Sequence, residues 1–203
     1  MVTSLWIFAV TLIFSLPLGL LISFGRMSKN KIISTIFKLY ISVMRGTPLM
    51  LQLLVCFFGP YYIFNITLAS GYRFAAVIIA FALNYAAYFA EIYRGGIESI
   101  PQGQYEAGQV LGMTKSQIFF KVVLLQVIKR IVTPMGNEFI TLVKDTALSR
   151  IIGIYEIIYA GESYIKKGLF WPLFYTAAFY LVFNGVLTVL FAKLEKKLNY
   201  FRG

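Results

Sequence analysis

The chain has 203 residues, of which 59% are hydrophobic and 13% are charged, and its mean hydropathy is +0.76. This composition excludes a soluble globular domain, in which about 25% of residues are charged. A membrane helix needs about 20 apolar residues, so the length allows five or six spans without a separate catalytic domain. The formal charge of +11 does not indicate nucleic-acid binding, because the basic residues flank apolar segments. One Cys and no His argue against a transition-metal site.

The first predicted span is Leu5–Phe24. The following segment, Arg26–Arg45, carries five basic residues and no acidic one. Cytoplasmic loops are enriched in Lys and Arg, so this segment is placed inside the cell and the N-terminus outside. Ile32–Met44 within it is apolar and suited to a helix, so it can enter the membrane early.

Two further spans follow. Gly46-Thr47-Pro48 interrupts the chain, and Leu49–Phe64 is the second predicted span. Asn65–Gly71 is a short outer loop, and Phe74–Tyr93 is the third span. The orientation of the third span agrees with that of the first, because basic residues again follow its cytoplasmic end.

Residues 95–117 are predicted to form a structured connector in the cytoplasm. Pro101 suits the first turn of a helix, Gln102–Leu111 can be helical, and Gly112 suits a left-handed stop. Thr114–Gln117 fits a capping box that begins a new helix. A short helix at the membrane face could press into a soluble partner; the alternative is an amphipathic connector that lies on lipid.

The remainder of the chain contributes the last two spans. The fourth helix is Gln117–Val143, followed by an amphipathic outer segment, Ile151–Gly161, and a polar outer loop, Glu162–Lys167. Trp171–Ala192 is the fifth span. The basic residues that close the chain on the inner side are Lys193, Lys196, Lys197 and Arg202. An all-α membrane protein with about five spans, N-terminus outside and C-terminus inside, is therefore predicted; a re-entrant pair at 117–161 would give a different number of spans.

Polar side chains on two apolar helices predict an aqueous cavity, because charges at membrane depth usually line a pathway or pair with a partner. The third span carries Asn84, Tyr88 and Glu91 on one face, and the fourth carries Glu138, Thr141 and Asp145. The carboxylates would bind the ammonium group of a substrate, and Lys144 would bind its carboxylate. Charges of both signs suit a zwitterionic amino acid. The alternative is an internal network in which Glu138 or Asp145 is balanced by Lys144 or Arg150.

The connector also carries a family motif. Glu106-Ala107-Gly108, Gly112, Ile118 and Leu124 resemble the cytoplasmic EAA loop of ABC-importer membrane subunits. Two positions depart from that pattern: Gly108 replaces the second Ala, and Leu125 stands where Pro is usual.

Two more segments resemble the polar-amino-acid subfamily of these permeases: Arg45–Leu49 with Gln52-Leu53, and Gly136–Ile140 with Lys144–Leu148. All three motifs occur in the expected order. The resemblance implies one permease domain over residues 1–203 with the type I ABC importer permease fold. It also implies a second permease chain, identical or a paralogue, two cytoplasmic ATPase subunits that bind ATP and Mg, an extracellular amino-acid-binding protein and surrounding membrane lipid.

The sequence contains no phosphate-binding loop of the Gly-x-x-x-x-Gly-Lys-Ser/Thr type, so no catalytic residue, cofactor or metal is assigned to this chain. The residues predicted to bind substrate are Glu138, Thr141, Lys144, Asp145, Asn84 and Tyr88. The residues predicted to couple to the ATPase are Gln104, Glu106, Ala107, Gly108, Leu111 and Gly112. The alternatives are an ATP-independent secondary amino acid transporter or channel, and a structural membrane protein with a basic inner face.

Overall fold

The computed structural model describes residues 1–67, 69 and 71–198, and Arg202 lies outside them. The described residues form helices and no strands, which confirms the all-α prediction. A π-helical turn spans Phe119–Val123, and a 3-10 helix spans Thr146–Ile152. The α-helices are α1 (Val2–Arg26), α2 (Lys31–Gly46), α3 (Leu49–Phe64), α4 (Tyr72–Glu98), α5 (Gln102–Val110), α6 (Lys115–Ile118), α7 (Leu124–Asp145), α8 (Ile157–Ile165) and α9 (Pro172–Leu198).

Three helices of the described ranges, α1, α4 and α9, are long and apolar enough to cross a membrane. The bent pair of α2 and α3 makes a fourth span if it is counted as one. The predicted fourth span corresponds to α7, which is less apolar because it contains residues such as Lys129, Glu138 and Asp145. It packs along α4 and α9. Five crossings therefore remain a prediction that depends on α7.

Helix α2 packs alongside α4, in agreement with the expectation that Ile32–Met44 enters the membrane. The Tyr40 Oη atom donates a hydrogen bond of 2.6 Å to the Leu83 carbonyl in the middle of α4. Ile41 is buried against alanines of α4. This apolar face draws α2 alongside the bundle, and the axes of α2 and α3 meet at a bend of 105°.

The region after α7 differs from the prediction. Glu162–Lys167 was expected to be a polar loop, yet α8 runs through most of it, to Ile165. The buried Glu156 side chain explains why α8 begins at Ile157. It accepts hydrogen bonds from the backbone N–H groups of Ile158 (2.8 Å) and Tyr159 (2.6 Å). An acceptor at this position satisfies N–H groups that a helix leaves free at its first turn.

The two most closely packed helices, α1 and α4, meet through small side chains. The face that α1 buries is rich in Ser, Thr and Gly, and the facing part of α4 contains Ala86, Ala87 and Ala90. Small residues let membrane helices approach closely, so that packing replaces the hydrophobic effect as the main attraction. The α1–α4 pair forms the packed centre of the bundle.

Gly19→Ala is expected to lower the free energy of unfolding by about 1–3 kcal/mol, the usual effect of overpacking. The added Cβ would lie 2.8 Å from the Phe89 Cβ and 3.0 Å from the Ala86 carbonyl oxygen. Thermal unfolding in detergent measures the change. Gly95→Ala is the matched control, because a Cβ there meets nothing within 4 Å. Equal melting temperatures for the two variants would contradict the close approach.

Candidate functional site

The break between α2 and α3 is held by two side chains, Gln52 and Asn84. Pro48 lacks an N–H group, so carbonyl groups at the end of α2 lose their usual helical partners. The Gln52 Nε2 atom donates to the Met44 carbonyl (2.9 Å) and lies 3.2 Å from the Thr47 carbonyl. In a membrane such groups must find partners within the protein. Gln52 therefore stabilises the broken span, a role that sequence analysis did not assign.

Asn84 on α4 completes this arrangement. Its Nδ2 atom donates to the Met44 carbonyl and to the Gln52 Oε1 atom, both at 3.0 Å. Only 4% of Asn84 is exposed. Both of its amide hydrogens are thus used inside the protein, and Asn84 braces the broken span while it forms part of the cavity wall described next.

We expect Gln52→Leu to destabilise the protein by roughly 1–3 kcal/mol, because the buried Asn84 amide loses its acceptor and the Met44 and Thr47 carbonyls lose the Gln52 donor. Leu keeps most of the side-chain volume, so the effect isolates the hydrogen bonds. The measurement is thermal unfolding in detergent, compared with Gln109→Leu on the exposed surface of α5. A Gln52 variant as stable as the Gln109 variant would refute the bracing role.

A cavity of about 480 Å³ opens where the broken span meets α4 and α7. Five of the six predicted substrate residues line it, whereas Lys144 is exposed outside this lining. A different cation takes its place: the Arg45 guanidinium lies 5.1 Å from the Tyr88 ring centroid. The residues of the lining are Arg45, Gly46, Thr47, Pro48, Leu49, Asn84, Tyr85, Tyr88, Glu138, Thr141 and Asp145.

The carboxylates of the cavity do not form the internal network considered as an alternative. Within the described ranges, neither Glu138 nor Asp145 has an ion pair, and Arg150 pairs instead with Glu162. The Asp145 Oδ2 atom accepts a hydrogen bond of 2.7 Å from the buried Tyr85 hydroxyl. The Glu138 carboxylate consequently remains available to a ligand in the cavity.

The polar surface continues beyond this cavity. A neighbouring cavity of about 400 Å³ shares Arg45, Tyr88 and Glu138 with it and reaches Glu91 near the end of α4. Arg94 holds Glu91 through an ion pair of 2.5 Å. The two cavities together make a charged path along α4.

The connector has the predicted local structure. Helix α5 covers Gln102–Val110, Gly112 adopts the left-handed conformation with φ = 70°, and the capping box of Thr114 and Gln117 is formed. One face of the connector is fixed to the bundle through an apolar cluster that includes Ile100, Ile118, Val123 and Val127, with Tyr105 and Met113 against it. The Gln104 Oε1 atom accepts a weak hydrogen bond of 3.3 Å from Gln126.

The opposite face of α5 points away from the bundle. Glu106 and Ala107 are exposed, and Leu111 just past the helix is 78% exposed. Glu106 has no hydrogen bond or ion pair to any other described residue. Exposed apolar groups gathered on one face make a surface suited to a protein partner.

Packing explains why Gly108 departs from the EAA pattern. Gly108 is buried, and a Cβ on it would lie 2.6 Å from the Ile118 Cγ1 atom. Ala would therefore require Ile118 to move. The EAA pattern also has a Pro where this chain has Leu125. Here the π-helical turn Phe119–Val123 interrupts the regular α-helix just before that position.

The sequence profile of the binding-protein-dependent transport system inner membrane components matches residues 15–200. The chain belongs to this family. Among relatives of this inner membrane component, the L-cystine transport system permease protein TcyB of Bacillus subtilis is 35% identical, over 94% of this chain and 81% of the relative. The glutamine transport system permease protein GlnP of Escherichia coli is 32% identical, over 97% of this chain and 90% of the relative.

Solved structures confirm the type I ABC permease fold of this inner membrane component. A crystal structure of an amino acid ABC transporter with histidines matches with a TM-score of 0.87 and 32% identity, over 97% of this chain and 91% of that one. An inward-facing MetNI methionine ABC transporter matches with a TM-score of 0.73, over 98% and 92% of the two chains. The latter is 18% identical and supports the fold alone.

Proposed function

We propose that this chain is the permease subunit of an ATP-driven ABC importer that moves polar amino acids across the cytoplasmic membrane by alternating access. The main support is the charged cavity, which brings Arg45, Glu138 and Asp145 together beside a broken span. A cavity that offers both signs of charge fits a zwitterion. The similarity to cystine and glutamine permeases supports the same substrate class.

The charges of the cavity suggest how an amino acid is oriented. Arg45 lies beside the N-terminus of α3, which begins at Leu49 and has free N–H groups in its first turn. Both favour an anion, so the substrate carboxylate is directed toward this side. Glu138 and Asp145 lie on α7 and attract the ammonium group. Arg45 thereby takes the role that the sequence assigned to Lys144.

The same proposal includes the assembly. An ATPase dimer binds ATP and Mg and performs hydrolysis, and this chain has no catalytic role. A second permease chain, identical or a paralogue, and an extracellular amino-acid-binding protein complete the importer within the lipid membrane. The N-terminus lies outside and the C-terminus inside, so that α5 faces the cytoplasm and the ATPase.

Movement of the ATPase would reach the cavity through α5. The apolar cluster of the connector includes Ile97 of α4 and Val127 of α7, so it joins α5 to two of the helices that line the cavity. When ATP binding closes the ATPase dimer, a shift of α5 would tilt α4 and α7 together. Access to the cavity would then change from one side of the membrane to the other.

The test is ATP hydrolysis by this chain co-expressed with its genomic neighbours and reconstituted with the binding protein, screened over the amino acids. We expect a few amino acids to stimulate hydrolysis. If no ATPase subunit copurifies and no amino acid stimulates hydrolysis, the importer proposal is wrong and an ATP-independent transporter is the better interpretation.

A further inference from the structure

An apolar groove lies on a different face of α7 from the functional cavity. It has a volume of about 460 Å³ and is formed by α1, α7 and α9. Phe8 and Phe139 contribute the walls from α1 and α7, and Leu190, Phe191 and their apolar neighbours contribute the wall from α9. Its lining is apolar except at the end of α9, where Lys193 and Lys197 stand.

Aromatic rings form part of the wall of this groove. The Phe8 ring contacts Phe183 with a centroid distance of 5.5 Å and Phe139 with 6.3 Å. Phe139 in turn contacts Phe191 at 5.2 Å. From this cluster the groove extends along α9 toward Lys197, a rise of ten residues from Leu187 or about 15 Å. It is therefore an apolar groove with aromatic walls and a cationic end.

The two lysines act as a pair. Lys193 and Lys197 are four residues apart, so they project from the same face of α9. No acidic side chain is among the residues of this lining. Lys196, on the same last turns of the helix, lies outside it. The groove thus presents two ammonium groups toward one occupant, without a carboxylate to balance them.

An anionic phospholipid has the matching chemistry. Its acyl chain suits a groove lined by Phe and Leu side chains, and its phosphate suits two ammonium groups at the mouth. Lysines at the end of a membrane helix normally extend toward the headgroup level, which places the pair at the depth where a phosphate lies. Elsewhere on α9 the exposed large side chains are mostly apolar.

We propose that this groove is a binding site for an anionic phospholipid of the cytoplasmic leaflet, with one acyl chain between α1 and α9 and the phosphate held by Lys193 and Lys197. Only the assignment to that leaflet rests on the orientation in the proposed function. A lipid in this place would fill the space between α1 and α9 and support α9 against the bundle.

The first test is native mass spectrometry of the purified importer assembly, titrated with phosphatidylglycerol or phosphatidylcholine. We expect one phosphatidylglycerol to be retained per copy of this chain, in preference to phosphatidylcholine. Lys193→Gln with Lys197→Gln should weaken phosphatidylglycerol binding about tenfold, equivalent to about 1.4 kcal/mol. The control, Lys31→Gln with Lys196→Gln, removes the same charge outside the groove and should bind like the wild type.

A second pair of variants tests the groove itself. Leu190→Trp fills the groove without any change of charge and should also displace the lipid, whereas Leu181→Trp adds the same ring to a site that is 76% exposed outside it. Equal lipid binding by the two Trp variants, or by the two lysine double variants, would overturn the proposal. So would efficient cross-linking of Leu190→Cys to a second copy of this chain, because the groove would then be covered by protein.

The proposed function is tested separately on the same samples by amino-acid-stimulated ATP hydrolysis. Preparations that bind the lipid as expected but show no stimulation would refute the importer assignment and leave the lipid site intact. Preparations that show stimulation but bind lipid equally in all variants would refute the lipid site alone.

Discussion

Glu138→Gln is expected to reduce amino-acid-stimulated ATP hydrolysis by at least about tenfold, with the assembly still intact. The Gln side chain keeps the size of Glu but loses the charge that attracts the substrate ammonium. A hydrogen bond to a charged group contributes about 1.5–3 kcal/mol, and each 1.4 kcal/mol is a factor of about ten in affinity. Hydrolysis measured over a range of amino acid concentrations gives the change.

The matched control for this substitution is Glu195→Gln. Glu195 is an exposed carboxylate on α9 and lies outside the cavity lining, so its replacement should leave the stimulation unchanged. If amino acids stimulate hydrolysis by the Glu138 variant at the wild-type level, Glu138 is not part of the substrate pathway. The importer assignment would be unaffected by that result.

Glu106→Ala should reduce transport by at least about tenfold through loss of contact with the ATPase. Glu106 lies on the exposed face of α5 and has no partner in the described part of the chain, so its charge is free to pair across an interface. Loss of a charged contact that is buried in an interface typically weakens binding by about 2–5 kcal/mol. Copurification of the ATPase and uptake of labelled amino acid into proteoliposomes measure the two effects.

Ser116→Ala serves as the control for this variant. Ser116 is exposed in the same connector but lies beyond the turn at Gly112. If the Glu106 variant retains both ATPase association and uptake at the level of this control, the coupling role of α5 is wrong.

The connector was predictable because its signals are local. The turn at Gly112 and the capping box at Thr114 depend on backbone rules that operate within four residues. The burial of Gly108 depends on Ile118, ten residues away, so the sequence identified the departure from the EAA motif without its cause. Local chemistry thus defined the helices of the connector, and packing defined which face stays free.

The cavity was less predictable because its parts come from distant segments. Lys144 is adjacent to Asp145 in sequence, but consecutive residues of a helix point about 100° apart, and Lys144 faces away from the cavity. Arg45 reaches the cavity because the chain bends by 105° after α2. The pairing of Gln52 with Asn84 likewise joins residues 32 apart in sequence, which periodicity cannot predict.

The bend between α2 and α3 has a mechanical consequence. Side-chain bonds from Gln52 and Asn84 hold the end of α2, in place of the continuous backbone ladder that stiffens an unbroken helix. Side-chain hydrogen bonds exchange partners by rotation about single covalent bonds. Helices α2 and α3 can therefore rotate relative to each other about Thr47, each as a rigid helix. Arg45 moves with α2 and Leu49 moves with α3, so this hinge would change the width of the cavity between them without melting either helix.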